Sequence, residues 1–299
     1  MFSKIEGTGV ALVTPFTKDE EVDFVALERL VNHVIEGGID YLVVLGTTGE
    51  NVTLTKAEKL SVFTKVKEVT NERVPIVLGH GGSNTKVLVE TLNDFDLKGI
   101  AAILSVTPSY NKPSQTGLYQ HYKTFIESCP LPVILYNVPG RTGVNMTAKT
   151  TLKIANEFKG KVIAVKEASG EVNRIKQLKS KLENDFLVIS GDDFTMIDAI
   201  RNGADGIISV AANVYPKIMV ETYNQIISDI NNVKTLNDNN FVLNEFINLI
   251  FEECNPSGIK YALSKLNLCS SKVRLPLSEI SENLKSKIEK FIKKHPPVN

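Results

Sequence analysis

One lysine ends an otherwise apolar run, Val162–Lys166, where a charged side chain needs an explanation. Burying an ammonium group without a partner is costly, so an apolar setting favours the neutral amine. A neutral amine attacks a ketone to form an imine, and the protonated imine is an electron sink for carbanion chemistry. Taken alone, the residue is better explained as a lysine whose tip reaches solvent or pairs with an acid such as Asp192. Whether Lys166 is an imine-forming lysine or a structural one therefore depends on the other polar residues of the chain.

Two further polar residues stand at and after the end of the preceding apolar run, Val133–Asn137. The phenol of Tyr136 can shuttle protons during imine formation and can donate a hydrogen bond to a carboxylate. Arg141 lies in the following Gly- and Pro-containing loop, where its guanidinium offers a bidentate site for a carboxylate. The alternatives are a packing tyrosine and a solvated surface arginine.

Hydroxyl groups occur after two earlier apolar runs. Thr47 and Thr48 lie between glycines, where paired hydroxyls and backbone amides could hold a small carboxylate, although plain turn chemistry also explains them. Tyr110 is presented by a Pro-containing loop, as either a functional phenol or an aromatic that fills a loop or subunit interface. These residues can cooperate only if the fold brings the ends of their strands together.

Short β-branched apolar runs recur along the chain, and segments with helical patterning separate them. Their number predicts a closed (β/α)₈ TIM barrel, in which active sites lie at the carboxyl ends of the strands. Because parallel strands are covered on both faces, each is apolar nearly throughout. The predicted strands are Val10–Thr14, Tyr41–Gly46, Pro75–Gly79, Ala101–Val106, Val133–Asn137, Val162–Lys166, Leu187–Ser190 and Gly206–Val210.

After Pro216 the strand pattern ends and only helical patterns follow. The first of them can close the barrel as its eighth helix, and the Asn-rich stretch Asn231–Asn240 reads as a junction. We therefore predict a barrel domain over residues 1–230 and a small C-terminal helical domain over 231–299. The predicted helices of this region are Lys217–Ile230, Asn240–Cys254, Pro256–Leu266 and Pro276–Lys294.

Composition narrows the class of protein. The 34 basic and 34 acidic residues balance, so the long-range attraction that nucleic acids or anionic membranes need is not expected. The three cysteines are widely spaced and the four histidines show no metal-ligand spacing, which predicts neither a disulfide framework nor a metal or cofactor site. No apolar stretch approaches the roughly 20 residues that cross a bilayer. We expect a cytoplasmic protein that acts on small molecules.

Three motifs in order along the chain, Gly46–Glu50, Tyr136–Gly143 and Val165–Glu167, resemble those of the dihydrodipicolinate synthase family. The resemblance extends from Gly7 to Leu277. It implies a lyase that condenses pyruvate with aspartate 4-semialdehyde on the diaminopimelate route to lysine, without a cofactor other than the covalent imine.

The resemblance also implies roles for individual residues. Lys166 would carry the imine, and Tyr136, Thr48 and Tyr110 would form a proton relay, with Tyr110 supplied by a neighbouring subunit of a homotetramer that is a dimer of dimers. The substrate-binding residues that it implies are Thr47 and Thr48 for the pyruvate carboxylate, Arg141 for the semialdehyde carboxylate, and Gly191 and Ile208 for the backbone lining of the pocket.

Two other functions remain open on the sequence. Relatives that cleave N-acetylneuraminate or 2-keto-3-deoxy sugar acids resemble this chain in the same lysine and tyrosine, so the second substrate depends on Arg141. A barrel that has lost catalysis and only binds ligands is the alternative from another class. Retention of the full set of polar residues argues against it.

The residues at the predicted allosteric site differ from those of family members that are inhibited by lysine. The residues that match their allosteric site are Lys56, Lys59, Ser83, Val87 and Ser109. Such a positive, glutamate-free pocket should bind the cationic amino group of lysine poorly. We therefore expect weak feedback inhibition or none, which half-inhibition by sub-millimolar L-lysine would disprove.

Overall fold

A computed structural model describes residues 5–228 and 238–297 of the chain. Eight parallel strands form a closed barrel in which each strand pairs with the next along the chain and β1 pairs with β8. The predicted TIM barrel is confirmed. The strands are β1 Gly7–Ala11, β2 Tyr41–Val44, β3 Ile76–Gly79, β4 Ala102–Val106, β5 Val133–Asn137, β6 Val162–Glu167, β7 Leu187–Ser190 and β8 Gly206–Ser209.

The first strand begins three residues earlier than predicted and ends at Ala11 instead of Thr14. Its first residues are Gly7, Thr8 and Gly9. In the barrel these glycines are needed for close packing: a Cβ at Gly9 would lie 2.3 Å from the ring of Tyr41. The ring of a neighbouring strand therefore occupies the space where a side chain would lie.

The barrel has an apolar interior and an outer core between strands and helices. Inward-facing residues such as Val43, Leu104 and Ile134 form the interior cluster. The helices of the outer ring are α1 Phe24–Glu36, α2 Lys56–Thr70, α3 Thr85–Leu92, α4 Gln115–Ser128, the short α5 Pro139–Thr142, α6 Ala148–Glu157, α7 Val172–Lys179, α8 Met196–Arg201 and α9 Pro216–Ser228. None of the helices in the described ranges is long and apolar enough to cross a membrane.

Within the described residues, three more helices follow the barrel: α10 Asp238–Phe251, α11 Ser257–Lys265 and α12 Glu282–Lys294. Aromatic rings join them to the barrel, because Phe246 stacks on Phe291 at 5.6 Å and meets Tyr215 edge-on at 4.7 Å. The proposed domain boundary between residues 230 and 231, and most of the junction 231–240, lie outside the described residues.

The last helix begins six residues later than predicted, at Glu282 and not at Pro276. Ser281 caps it by accepting a hydrogen bond from the backbone of Leu284. The preceding segment instead binds α11, since the Ser257 hydroxyl donates to the Ser278 carbonyl at 2.7 Å. Tertiary contacts therefore override the helical pattern of residues 276–281.

Arg274 joins the segment before α12 to the start of α2. Its guanidinium donates to the Glu58 carboxylate and to the backbone carbonyl of Glu20, and it lies over the ring of Phe16. The hydrogen bonds from Arg274 lower the pKa of Glu58 from 4.5 to about 2. Since the pKa is depressed in the folded state, the stabilisation is present above pH 4.5 and is lost as the pH falls towards 2.

We expect Glu58→Gln to reduce the dependence of the unfolding free energy on pH between 4.5 and about 2. Glutamine keeps the capping box with Thr55, so the variant removes the charge and leaves the start of α2 intact. Urea unfolding at a series of pH values measures the slope. Glu28→Gln, at a half-exposed surface pair with Lys65, is the matched control and should leave the slope unchanged. An unaltered slope in Glu58→Gln would contradict the assignment.

Candidate active site

Strand register brings the predicted lysine and tyrosine side by side. Tyr136 of β5 pairs with Lys166 of β6, and both residues are 6% exposed. Lys166 has the same strand parity as Ala164, which belongs to the interior cluster, so its side chain points inward. The ammonium nitrogen lies 4.4 Å from the centroid of the Tyr136 ring.

Lys166 forms no ion pair within the part of the chain that the structure describes. The adjacent carboxylate of Glu167 faces away and is bound by Arg174 at 2.6 Å and by the Asn137 amide at 3.0 Å. The Asp192 carboxylate accepts hydrogen bonds from the Phe194 backbone and the Thr195 hydroxyl. The alternative of a Lys166–Asp192 ion pair is therefore wrong.

A cavity of about 510 Å³ lies at the carboxyl ends of the strands, and we call it the main cavity. Six of the predicted site residues line it, and the α10–α11 connection also contributes to it. These six residues are Thr47, Thr48, Tyr136, Arg141, Lys166 and Gly191. The fold thus assembles side chains that are separated by more than a hundred positions in the sequence.

Gly191 has a steric role beside the lysine. A Cβ at this position would lie 2.6 Å from Cε of Lys166 and 2.8 Å from Cβ of Ala168. Its backbone amide donates to the Glu167 carbonyl at 2.8 Å, which fixes the approach of β7 to β6. Any larger residue would displace the lysine side chain, so the predicted backbone lining at Gly191 has a physical basis.

Ile208 is buried in the interior cluster of the barrel. The residue of this segment that lines the main cavity is Val210, two positions further along. The predicted contribution of the Ile208 backbone to substrate binding stays a prediction.

The two threonines differ in their surroundings. Thr47 is half-buried and lines both the main cavity and an adjoining space of about 220 Å³, which we call the side cavity. Thr48 is buried, and its hydroxyl accepts a hydrogen bond from the Asn255 side-chain amide at 3.2 Å. Sequence reasoning missed Asn255, and the only signal was a polar residue before a proline between two helical patterns.

Tyr110 lies outside both cavities in the single chain. It is 91% exposed and has a left-handed backbone conformation with φ of 71°. Its amide donates to the Thr142 carbonyl at 3.3 Å, so its loop is joined to the segment that carries Arg141. The structure of one chain does not bring Tyr110 to Lys166.

Arg141 lies on α5 at the mouth of the main cavity and also lines the side cavity. Its backbone amide donates to the Val138 carbonyl at 3.0 Å, which anchors the turn after β5. The described residues provide no carboxylate partner for its guanidinium. The site therefore presents a cation at its entrance and an amine at its base.

Four of the five residues predicted for the allosteric site line a third cavity of about 320 Å³: Lys56, Lys59, Ser83 and Val87. Ser109 lines the side cavity, where its backbone carbonyl accepts from the Ser83 hydroxyl at 3.2 Å. Lys56 is paired with Asp94 at 2.8 Å. Burial lowers the pKa of Lys59.

Comparison with known proteins decides the family. The model of the dihydrodipicolinate synthetase family matches residues 4–295. The chain belongs to this family. A 4-hydroxy-tetrahydrodipicolinate synthase of Flavobacterium psychrophilum is 46% identical over 291 residues, which cover 96% of this chain and 97% of the relative. The family resemblance inferred from the motifs is confirmed.

Two solved structures of the family have the same fold. The chloride-inhibited dihydrodipicolinate synthase of Acinetobacter baumannii, in complex with pyruvate, is 41% identical, with a TM-score of 0.92 and coverage of 98% of this chain and 100% of that one. A monomeric dihydrodipicolinate synthase variant is 36% identical, with a TM-score of 0.92 and coverage of 98% and 97%. Like these family members, the chain is a lyase.

Proposed function

We propose that the chain catalyses the 4-hydroxy-tetrahydrodipicolinate synthase reaction, the condensation of pyruvate with L-aspartate 4-semialdehyde, through an imine on Lys166. The observation that carries this proposal is a buried lysine amine, without a carboxylate partner in the described chain, that opens into a cavity beside Tyr136. The names of the relatives support the same reaction.

The proposed chemistry begins with attack of the Lys166 amine on the ketone carbon of pyruvate. The ketone oxygen leaves as water after proton transfers for which the Tyr136 hydroxyl is the nearest phenol on the neighbouring strand. The protonated imine then accepts the electron pair left when the methyl group loses a proton. The resulting enamine carbon attacks the aldehyde, and the amine of the second substrate displaces Lys166 to close the ring. These reaction steps need no metal or organic cofactor.

Different polar residues of the main cavity are assigned to the carboxylates of the two substrates. We assign the pyruvate carboxylate to the loop of Thr47 and Thr48, which lies beside the lysine. Arg141, at the entrance, is assigned to the carboxylate of the semialdehyde, for which a guanidinium offers two parallel hydrogen bonds. The backbone at Gly191 and Ile208 completes the lining.

Tyr110 takes part in the proposed relay only through assembly. An aromatic side chain that is 91% exposed is well placed to be covered by a second copy of the chain. Our proposal includes a homotetramer, a dimer of dimers, in which Tyr110 completes the relay of Tyr136 and Thr48 in a neighbouring subunit. We also place the enzyme in the cytoplasm, in keeping with its free cysteines.

The second substrate can be tested directly by supplying pyruvate with either aspartate semialdehyde or the aldehyde products of sugar-acid cleavage. We expect turnover with the semialdehyde. We expect Arg141→Ala to raise KM for the semialdehyde by about tenfold to a hundredfold, because a hydrogen-bonded charge is lost, with KM for pyruvate little changed. Arg73→Ala, in the turn between α2 and β3, is the matched control.

Equal or better turnover of the sugar-acid products would favour an aldolase of that class and contradict the proposal. An equal rise of both KM values in Arg141→Ala would remove the assigned selectivity of this residue.

Weak inhibition by lysine remains part of the proposal. The third cavity contains two lysines, while the carboxylate of Asp94 is already paired with Lys56. A third ammonium group would therefore meet net positive charge there.

A further inference from the structure

The C-terminal helices reach the catalytic end of the barrel through two side chains of one segment. Asn255, two residues before the start of α11, binds the hydroxyl of Thr48, and Lys260, on α11, binds the carboxylate of Glu50. Both partners belong to the turn after β2, which lies more than two hundred positions earlier in the chain. The distance between α11 and this turn is thus fixed at two points.

The contact at Glu50 is the stronger of the two. The Lys260 nitrogen lies 2.5 Å from a Glu50 oxygen, and the two side chains are 0% and 1% exposed. Lys260 also donates to the Lys272 carbonyl at 2.8 Å, and the Arg274 amide donates to the second carboxylate oxygen of Glu50 at 3.2 Å. A buried, multiply bonded pair of this kind holds the turn in one position.

The contact at Thr48 sets the direction of a hydrogen bond. A hydroxyl has one proton to donate and can accept from others. The Asn255 amide occupies an acceptor position of Thr48 Oγ1, and within the described chain the hydroxyl has no acceptor for its own proton. Because Thr48 lines the main cavity, that proton is available to a substrate oxygen there.

We propose that Asn255 is a positioning residue that makes the Thr48 hydroxyl a hydrogen-bond donor towards the carboxylate of the bound substrate. The inference rests on the proposed function, in which that carboxylate belongs to pyruvate. The C-terminal segment thereby takes part in substrate recognition. The Thr48 hydroxyl could otherwise donate or accept a hydrogen bond, and the amide donor of Asn255 leaves it free to donate.

The test compares KM for pyruvate in two substitutions of Asn255. If the role of Asn255 were purely structural, Asn255→Ala would have the larger effect, whereas the proposal expects the larger effect from Asn255→Asp. Asn255→Asp keeps the shape of the side chain but replaces the donor by a carboxylate, which takes the Thr48 proton and repels the substrate anion. Asn255→Ala removes the donor and leaves the hydroxyl free to turn. We expect KM for pyruvate to rise by about tenfold or more in Asn255→Asp and by only about threefold in Asn255→Ala, with smaller changes in kcat.

A Thr48→Val background provides the second measurement. Without the hydroxyl, Asn255→Ala should change KM for pyruvate by less than about twofold, because the two residues act through one hydrogen bond. This cycle decides the question even if Asn255→Asp does not fold. The proposal is overturned if Asn255→Asp keeps the wild-type KM, or if Asn255→Ala has the same effect with and without the Thr48 hydroxyl.

Failure of the proposed function has a different signature. In that case the wild-type chain does not turn over pyruvate with aspartate semialdehyde, whether or not borohydride traps pyruvate on Lys166. If the wild type forms the adduct and turns over, the Asn255 and Thr48 variants test the positioning role alone.

Discussion

Borohydride reduction in the presence of pyruvate is expected to attach the substrate covalently to Lys166, and Lys166→Arg is expected to abolish both the adduct and turnover. Arginine retains the positive charge, but its guanidinium stays protonated and cannot attack a ketone as a neutral amine. Activity should fall by about 10³-fold or more, because the covalent route itself is lost. Peptide mass mapping locates the adduct, and a steady-state assay measures the loss.

The chain contains its own control for this experiment. Lys260 is more buried than Lys166, but its nitrogen is bound by Glu50 and by a backbone carbonyl. If burial alone made a lysine reactive, Lys260 would also be labelled. Labelling of Lys166 only is the expected pattern, because its amine is free of carboxylates in the described chain and lines the main cavity. An adduct that persists in Lys166→Arg would refute the role of this lysine.

The largest expected effect on stability comes from breaking the Glu50–Lys260 pair. Lys260→Met removes one ion and leaves the Glu50 carboxylate buried without its cation, which should lower the free energy of unfolding by about 3–5 kcal/mol. Adding Glu50→Gln removes the stranded charge, so the double variant should recover most of the loss. Chemical denaturation of the three proteins measures the coupling.

Lys272→Met is the matched control for Lys260→Met. Its nitrogen pairs with Glu279 at 2.8 Å, but the Lys272 side chain is 41% exposed, so its loss should lower the free energy of unfolding far less than Lys260→Met does. Equal losses in Lys260→Met and Lys272→Met would show that burial of the Glu50–Lys260 pair contributes nothing. A double variant no more stable than Lys260→Met would exclude a coupled pair.

Much of the architecture could be predicted from local sequence. Each parallel strand is covered on both faces, so it appears as a short apolar run whatever it packs against. Lys166 stands out because a charge at the end of such a run is exceptional, and barrel geometry then places it at the catalytic end. Gly9 of β1 could not be read in this way, since its lack of a side chain makes room for the ring of Tyr41 on the next strand.

The sequence by itself therefore determined the barrel, the family and the set Lys166, Tyr136 and Arg141 at one end of it. Only the tertiary structure decided that Lys166 has no acidic partner among the described residues, because the carboxylates of Glu167 and Asp192 are bound elsewhere. It alone showed that Asn255 binds Thr48 across 207 positions. Strand and helix patterns arise from local periodicity, whereas the partner of a buried polar group is set by packing between distant segments, which leaves no periodic signal in the sequence.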